Sequence, residues 1–261
     1  MSQSTRQKQI IEIIESQGEC SIDSLADKFA TSGMTIRRDL RALADQGRVI
    51  RTHGGATVAP GIRFEFSFLK RAKVNLPQKL AIARIASTLV KAGQSIVLDS
   101  GTTTLAIAEQ LRQRRDIRVI TTSLPIASML QYNPSIQLVL LGGQLRPGSP
   151  DLCGPVTESN LAMLQADLAF VGADAIDDKG GVFSESADLS NMLSKMISAA
   201  TKAYIVADSS KLGRSALWRF ADLRKLAGLI TDEKANPSLT ARLVKSGIKI
   251  IRDSAVTRSR R

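Results

Sequence analysis

The chain has 261 residues and a hydrophobic content of 43%, which is enough for one large core or for a small core and a medium one. Its aromatic content of 4% disfavours single-strand nucleic-acid binding by base stacking, and no apolar run approaches the roughly 18 residues of a membrane span. The net charge of +12 favours a polyanionic partner such as nucleic acid, although a basic protein with scattered lysines is the alternative.

The charge is unevenly distributed. Residues 1–60 carry 8 Lys and Arg against 7 Asp and Glu, residues 151–200 carry 2 against 8, and residues 201–261 carry 14 against 5. The two cysteines, Cys20 and Cys153, are far apart and have no metal-type spacing. Because no apolar signal-peptide region opens the chain, we expect a cytoplasmic protein with reduced thiols. We also expect neither a metal nor a cofactor.

Residues 1–56 predict three short helices followed by a β-hairpin. The isoleucines of "RQKQIIEIIESQG" share one helical face, and Gly18 ends the segment. "SIDSLADKFA" predicts a second helix with Ser21 as its N-cap. "TSGMTIRRDLRALADQG" predicts a third, capped by Ser32 and ended by Gly47, and "RVIRTHGGATV" then predicts the hairpin.

The third helix predicts a DNA-reading surface. Ile36, Leu40 and Leu43 form its buried stripe, so its opposite face presents hydroxyl and guanidinium groups. This is the arrangement of a helix-turn-helix, whose third helix enters the major groove of double-stranded DNA while a hairpin wing contacts the adjacent backbone. The candidate residues of the helix and the wing are Met34, Thr35, Arg37, Arg38, Arg41, Arg48, Arg51 and His53. The alternative is a small helical interaction domain with a solvated arginine face.

Residues 57–76 have weak periodicity and are interpreted as a partly helical linker. Phe64, Phe66 and Leu69 within it would either support oligomerisation or pack onto the domain that follows. Residues 253–261 predict a frayed basic tail.

Residues 77–252 predict an α/β domain. Apolar β-rich runs alternate there with helical stretches, the runs being "SIVLD", "RVITT", "IQLVLL", "ADLAFVG", "AYIVAD", "AGLIT" and "IKII". Continuous apolar strands separated by helices predict a mostly parallel sheet covered on both faces. The expected fold class is therefore α/β, with an N-terminal winged helix-turn-helix domain and a larger α/β domain.

The stretch "SIVLDSGTTTLAIAEQL" predicts a strand, a small polar loop and a helix. Gly101 allows close approach of a ligand, and Thr102 and Thr103 lie where free helix amides suit an anion. Asp99 suits hydroxyl groups of the same ligand. This pairing predicts a phosphorylated sugar or polyol, and ordinary helix capping by threonine is the alternative. The loop matches neither a Walker A sequence nor a dinucleotide-binding fingerprint.

Three further loops follow strands, on the edge where open α/β sheets bind ligands. Their polar or flexible positions are Thr122 and Ser123, then Gly142, Gly143 and Arg146, then Asp208, Ser210 and Lys211. Each loop alone could be an ordinary turn, but topology predicts that they converge. Lys211 is the best single candidate for pairing with a phosphate, against the alternative of a solvated loop lysine.

The stretch "TIRRDLRALADQGRVIRTHGGA" resembles the amino-terminal signature of the DeoR family of bacterial transcriptional regulators, and the resemblance continues over nearly the whole chain. The family's "D-x-G-T-T", double-glycine and "D-x-S-K" motifs appear at residues 99–103, 142–143 and 208–211. The resemblance implies a recognition helix with contacts from Ser32, Thr35, Arg37 and Arg38. It also implies an effector domain similar in fold to ribose-5-phosphate isomerase.

Three positions depart from the family pattern. Thr31 replaces an apolar residue, Thr122 replaces an asparagine, and the helix after Glu185 lacks the usual acids and bases. The missing amide at Thr122 indicates that the effector differs from that of other members.

The resemblance implies a DNA-binding transcriptional regulator, expected to repress a carbohydrate-metabolism operon under control of a phosphorylated sugar. One helix-turn-helix has too small a footprint for genomic specificity, so a homodimer or homotetramer on operator DNA is expected. The expected effector contacts are Asp99, Ser100, Gly101, Thr102, Thr103, Thr122, Ser123, Gly142, Gly143, Arg146 and Lys211.

The competing class is a sugar-phosphate isomerase, in which Asp99 or Glu185 would act with Lys211. His53 is the only histidine and lies in the predicted wing, and an isomerase has no use for the amino-terminal domain. The chain is therefore not expected to be an enzyme.

Overall fold

The computed structural model describes residues 2–58, 68–146 and 149–252. The chain divides into two compact units, Met1–Lys70 and Arg71–Arg261, which are treated separately below. The expectations for Phe64, Phe66 and the tail at 253–261 fall outside the described residues.

The first unit contains three helices and a three-stranded antiparallel sheet. Its helices are α1 (Gln3–Gln17), α2 (Ile22–Lys28) and α3 (Gly33–Asp45). Its strands are β1 (Glu19–Ser21), β2 (Val49–Thr52) and β3 (Gly55–Val58), in the spatial order β1-β3-β2. The hydroxyls of Ser21 and Ser32 cap α2 and α3. Gly18, with a φ of 85°, ends α1 in the left-handed region that favours glycine.

Strand β1 is the element of this unit that the sequence does not predict, because three residues are too few to show alternation. It pairs with β3, and the two backbones approach so closely that a Cβ on Gly55 would overlap the Cys20 carbonyl oxygen. Strand β3 extends two residues beyond position 56, because Val58 pairs with Val49 across the hairpin. Strand β3 therefore lies between β1 and β2 in this sheet.

A buried ion pair joins α1 to α3. Asp39 is 1% exposed, and its carboxylate accepts hydrogen bonds from Arg6 Nε at 2.6 Å and Gln7 Nε2 at 3.1 Å. Around this pair the predicted stripe of α3 packs with α1 and α2, and the fully buried members are Ile10, Ile14, Leu25, Ile36, Leu40 and Leu43. The orientation of α3 therefore depends on both apolar packing and one charged contact.

The second unit is built on a seven-stranded parallel sheet. Its strands are β4 (Ser95–Leu98), β5 (Ile117–Thr121), β6 (Ile136–Leu140), β9 (Ala166–Val171), β12 (Ala200–Val206), β14 (Gly228–Ile230) and β15 (Ile250–Ile251). The spatial order is β15-β14-β12-β9-β4-β5-β6. All seven predicted runs are therefore strands of one sheet, as their continuous apolar character indicated.

Helices cover both faces of this sheet. They are α4 (Leu76–Thr88), α5 (Thr102–Leu111), α6 (Leu124–Leu130), α7 (Pro155–Ala162), α8 (Ala187–Ser198) and α9 (Pro237–Lys245). Alternate strand residues point to opposite sides, so Ile96 and Leu98 join one core cluster while Val97 joins the other. The fold class expected from the sequence is thereby confirmed.

Two smaller sheets were not predicted. Strands β10 (Ala175–Ile176), β11 (Gly181–Ser184) and β13 (Trp218–Asp222) form an antiparallel sheet, and β7 (Gln144–Leu145) pairs with β8 (Leu152–Cys153). Most of these strands have two to five residues and lack a clear period. They are therefore indistinguishable from loops in the sequence.

The second unit begins before the predicted start at position 77. Residues 68–73 are helical, and Asn75, with a left-handed φ of 54°, precedes α4. Asparagine tolerates this conformation better than most residues, and Pro77 then suits the first turn of α4. No helix among the described residues is long and apolar enough to cross a membrane.

The order of the strands reverses between β4 and β9. The chain runs from β4 outward to β5 and β6, then returns to place β9 on the other side of β4 and continues outward to β15. Loops leaving neighbouring strands in opposite directions open a crevice at their carboxyl ends, which is the usual ligand site of open α/β sheets.

We expect Arg6→Ala to lower the free energy of unfolding by about 3–5 kcal/mol, because Asp39 would stay buried without its charged partner. Chemical denaturation followed by circular dichroism measures this. Lys8→Ala, at an exposed position of the same helix, is the control and should change the value by less than about 0.5 kcal/mol. Equal effects of the two substitutions would show that the buried pair does not hold α3.

Candidate nucleic-acid interface and ligand cavity

One face of α3 carries unpaired cations. At about 100° per residue, Met34, Arg37, Arg38 and Arg41 fall within one sector, opposite the buried stripe. All four are exposed, and Met34 is 58% exposed. None of the three guanidinium groups forms an ion pair with any residue that the structure describes. Guanidinium groups left unpaired on an exposed helix suit phosphates and the edges of guanine.

The beginning of α3 and the hairpin add to this face. Ser32 Oγ accepts a hydrogen bond from Thr35 N–H at 3.2 Å, and the two hydroxyls lie 3.0 Å apart. Ser32 is exposed, and Thr35 is half-buried at the edge of the sector. Arg51 is exposed on β2, and His53 is exposed in the turn between β2 and β3. The predicted DNA-contact residues thus lie on the third helix and the wing of one unit.

The second unit contains a cavity of about 200 Å³ at the crevice between β4 and β9. The loop after β4 supplies residues 99–103, and the loop after β9 supplies residues 172–174. The loop after β12 supplies Asp208, Ser210 and Lys211, and the helical segment before α4 supplies Arg71 and Asn75. The position of the cavity follows from the reversal of strand order.

Asp99 lies at the base of the cavity and is 5% exposed. Its Oδ1 accepts from Ser100 N–H at 2.5 Å and its Oδ2 from Gly172 N–H at 3.0 Å. Burial raises the pKa of Asp99, and these two backbone donors and Arg146 oppose the shift while Asp151 adds to it. Since a carboxylate has about four acceptor positions, Asp99 can still receive hydroxyl groups of a ligand.

The amino-terminal end of α5 faces the same cavity. The first hydrogen bond of the helix runs from Leu105 N–H to Gly101 O at 3.0 Å, so the amides of residues 102–104 have no partner within the helix. Gly101 is the N-cap and has no side chain to bond them. Thr104 Oγ1 is turned to the carbonyls of Asp99 and Gly101, at 2.6 and 2.8 Å. These amides and the helix dipole favour an anion.

Arg146 is fixed at the cavity by a buried carboxylate. Asp151 is 0% exposed, and it accepts from Arg146 Nε and Nη2 at 3.0 Å each. Asp151 Oδ2 also accepts from Ser100 Oγ at 2.6 Å. A chain of polar contacts therefore links Arg146, Asp151, Ser100 and Asp99, and it sets the orientation of the cation and the carboxylate together.

Two lysines complete the cavity wall. Lys211 is half-buried, and its ammonium forms no hydrogen bond or ion pair with a residue in the described part of the chain. Lys79 is 6% exposed, and burial lowers its pKa, with Asp208 opposing the shift and Lys211 and Arg71 adding to it. An anion entering the cavity would stabilise both charges.

The comparisons with known proteins agree over both units. Residues 6–60 match the DeoR-like helix-turn-helix domain, and residues 74–233 match the DeoR C terminal sensor domain. The chain belongs to the DeoR family. The expectation of a DNA-binding transcriptional regulator of this family is thereby confirmed.

Two DeoR-type relatives align over most of their own length. The lactose phosphotransferase system repressor of Lactococcus lactis is 33% identical over 91% of this chain and 94% of its own. The glycerol-3-phosphate regulon repressor of Escherichia coli is 29% identical over 89% of this chain and 92% of its own. Ribose 5-phosphate isomerase A from Methanocaldococcus jannaschii covers 53% of this chain and 55% of its own, at 24% identity and a TM-score of 0.39. A structural similarity of that extent supports no conclusion about function.

The DeoR sensor domain brings together most of the residues that the sequence proposed for the effector. Those that line the cavity are Asp99, Ser100, Gly101, Thr102, Thr103, Arg146 and Lys211. Thr122, Ser123, Gly142 and Gly143 do not line it. Thr122 and Ser123 are fully buried, and Leu152 N–H bonds the Thr122 carbonyl, so the chain at β8 covers them. The carbonyl of Gly142 accepts a hydrogen bond from Thr157 Oγ1 of α7 at 2.7 Å.

Sequence reasoning missed several cavity residues of this DeoR-family protein. They are Arg71, Asn75, Lys79, Ser149, Gly172 and Asp174, together with the buried Asp151 behind Arg146. The signal that could have found Lys79 is a lysine on the apolar face of α4, next to Ile82 and Ala83. Nothing in the local sequence indicates that Arg71 and Asn75 lie at the carboxyl ends of the strands.

We expect Arg38→Ala to weaken binding to a duplex selected by this protein from random sequence. The loss should be about 1–3 kcal/mol if Arg38 contacts a base, and the salt slope should fall by about 1 if it contacts a phosphate. Lys91→Ala removes the same charge from an exposed site on the second unit and should leave affinity unchanged. Unaltered affinity and salt slope in Arg38→Ala would remove this residue from the interface.

We expect Thr122→Val to raise the free energy of unfolding by about 1 kcal/mol and to leave ligand binding intact. Thr122 Oγ1 is buried and has no hydrogen-bond partner among the described residues, so the substitution removes an unsatisfied hydroxyl at nearly constant volume. Thermal unfolding with and without ligand measures both effects. A lost ligand response would place Thr122 in the binding site after all.

Proposed function

We propose that this protein is a repressor of a carbohydrate-metabolism operon whose DNA binding is controlled by a phosphorylated monosaccharide or polyol. The observation that carries the proposal is the composition of one cavity. Free amides of α5 and the cations Lys79, Arg146 and Lys211 surround it, while Asp99 and Asp208 supply carboxylates. The cations and amides suit a phosphate, and the carboxylates suit hydroxyl groups.

The two aligned relatives support the class of ligand and the sign of regulation. Their names state repression, one of a glycerol-3-phosphate regulon and one of a lactose phosphotransferase system. We infer a homodimer or homotetramer on paired half-sites, because a single recognition helix reads too few base pairs for genomic specificity.

We infer a sensor rather than a catalyst for the cavity. Of the two carboxylates considered as a catalytic base, Glu185 does not line the cavity. His53 belongs to the other unit. The match of this unit to the DeoR C terminal sensor domain supports a sensing role.

Thermal unfolding against paired ligands tests the proposal. Sugar phosphates and their unphosphorylated parents are compared at equal concentration and ionic strength. A ligand at a hundredfold excess over its Kd should stabilise the fold by about 2.7 kcal/mol, or about 5–10 °C. A shift with a phosphorylated compound and none with its parent is the expected result. Equal shifts for both members of every pair would exclude the anion site.

Lys211→Met should reduce the shift given by the phosphorylated ligand, because it removes a cation that has no other partner among the described residues. Lys225→Met, which changes an exposed lysine away from the cavity, is the matched control and should retain the full shift. A Lys211→Met protein with an undiminished shift would move the phosphate to another part of the cavity.

A further inference from the structure

Lys79 makes two kinds of contact in this structure. It lines the cavity, and its ammonium also donates hydrogen bonds to the backbone carbonyls of Arg71 and of Val74, the latter at 2.7 Å. An ammonium has three donors, so one remains after these two contacts. No carboxylate of a described residue lies within ion-pair distance of Lys79. The direct partners of the ammonium among the described residues are therefore peptide carbonyls, and Asp208 stabilises the charge from a greater distance.

The two carbonyls belong to a particular stretch of chain. Residues 68–73 are helical, and Lys70 is the last residue of the first unit while Arg71 is the first of the second. Carbonyls at the end of a helix lack partners within it, and a lysine is a common substitute. Lys79 therefore caps the segment through which the sensor unit is covalently joined to the DNA-binding unit.

A second cavity side chain anchors the same segment. Asn75 Nδ2 donates to Asp208 Oδ1 at 3.1 Å and to Ser210 Oγ at 3.3 Å. These two hydrogen bonds fix the side chain of Asn75, whose left-handed backbone turns the chain into α4. Residues 71–75, named here the connecting segment, are therefore held by Lys79 from one side and by Asp208 from the other.

Both anchors are groups that the proposed ligand would use. A phosphate is a stronger partner for an ammonium than a carbonyl is, because the hydrogen bond is charge-assisted on both sides. Lys79 gains from such a partner, because burial has lowered its pKa and no carboxylate of a described residue forms an ion pair with it. A ligand hydroxyl donates to a carboxylate as an amide N–H does, so it competes with Asn75 for Asp208.

We propose that Lys79 is an effector-binding residue that exchanges the carbonyls of Arg71 and Val74 for the anionic group of the ligand. The exchange releases the connecting segment, so occupancy of the cavity alters the chain where it leaves the sensor unit. This inference rests on the proposed function of the cavity. The ligand drives the change because it binds the released arrangement more tightly than the anchored one.

Hydrogen exchange of the full chain, followed by mass spectrometry, tests the exchange of partners. The probes are inorganic phosphate, glycerol 3-phosphate and ribose 5-phosphate, with chloride at matched ionic strength as the blank. Each binding probe should slow exchange at residues 102–104, where the anion accepts from the α5 amides. In the same sample it should speed exchange at residues 71–75 by about tenfold or more, the change expected when a hydrogen bond to a charged donor is lost.

Two variants separate anchoring from binding. Lys79→Met should speed exchange at residues 71–75 without any probe and should abolish the further increase on adding one. Lys211 lines the same cavity but donates to neither the Arg71 nor the Val74 carbonyl. Lys211→Met should therefore weaken binding of the probe, and without a probe it should leave hydrogen exchange at residues 71–75 slow. Lys79→Arg keeps the charge and serves if the methionine variant does not fold; it should retain slow basal exchange.

Each outcome decides the inference. Slower exchange at residues 102–104 together with faster exchange at residues 71–75 supports it. Protection at residues 102–104 with unchanged or slower exchange at residues 71–75 overturns it and leaves the proposed function standing. No protection at either place with any of the three probes overturns both, because the anion site itself would then be absent.

Discussion

The reversal of strand order between β4 and β9 is the constraint on which the sensor unit depends. Parallel strands that are buried on both faces leave only their ends for chemistry, and all seven carboxyl ends lie on one edge. At the reversal the loops diverge, so peptide groups of Ser100 and Gly172 meet on the two oxygens of Asp99. The order of the strands, rather than proximity in sequence, then brings three further groups around this carboxylate. They are the amides of α5, the loop that carries Arg146 and the loop at Asp208.

The protein uses its arginines and lysines in two distinct ways. Arg6 and Arg146 each bond a carboxylate that is almost wholly buried, and these pairs fix the position of a helix and of a loop. Arg37, Arg38 and Arg41 have no such partner among the described residues and stand on an exposed helix. This explains why a DNA-reading unit can be nearly neutral overall. Asp39, one of the seven acids of residues 1–60, is buried with Arg6 as a structural partner and contributes no charge to the exposed face of α3.

Sequence alone predicted the strands of the large sheet and the buried stripe of α3, because continuous apolar runs and a 3.6-residue period are strong local signals. It placed Asp99 and Lys211 at one site because strand ends converge. It did not indicate that β8 covers Thr122, since a strand of two residues has no signature. It also failed at Lys79 and Asp151, whose approach to the cavity is decided by how a helix and a loop pack over the sheet.

A substitution at Gly101 could block access of an anion to the amides at the start of α5. Its φ of −71° is open to any residue, and an added Cβ would meet Asp99 Oδ2 at 3.3 Å, a modest crowding. Serine, one of the residues most favoured at such a position, would therefore fit with little distortion and would bond the amides of α5 through its own hydroxyl. Glycine at this position thus leaves the amides of α5 without a side-chain partner from the N-cap residue. A Gly101→Ser substitution would therefore occupy the amides that the proposed anion uses, with little change to the fold.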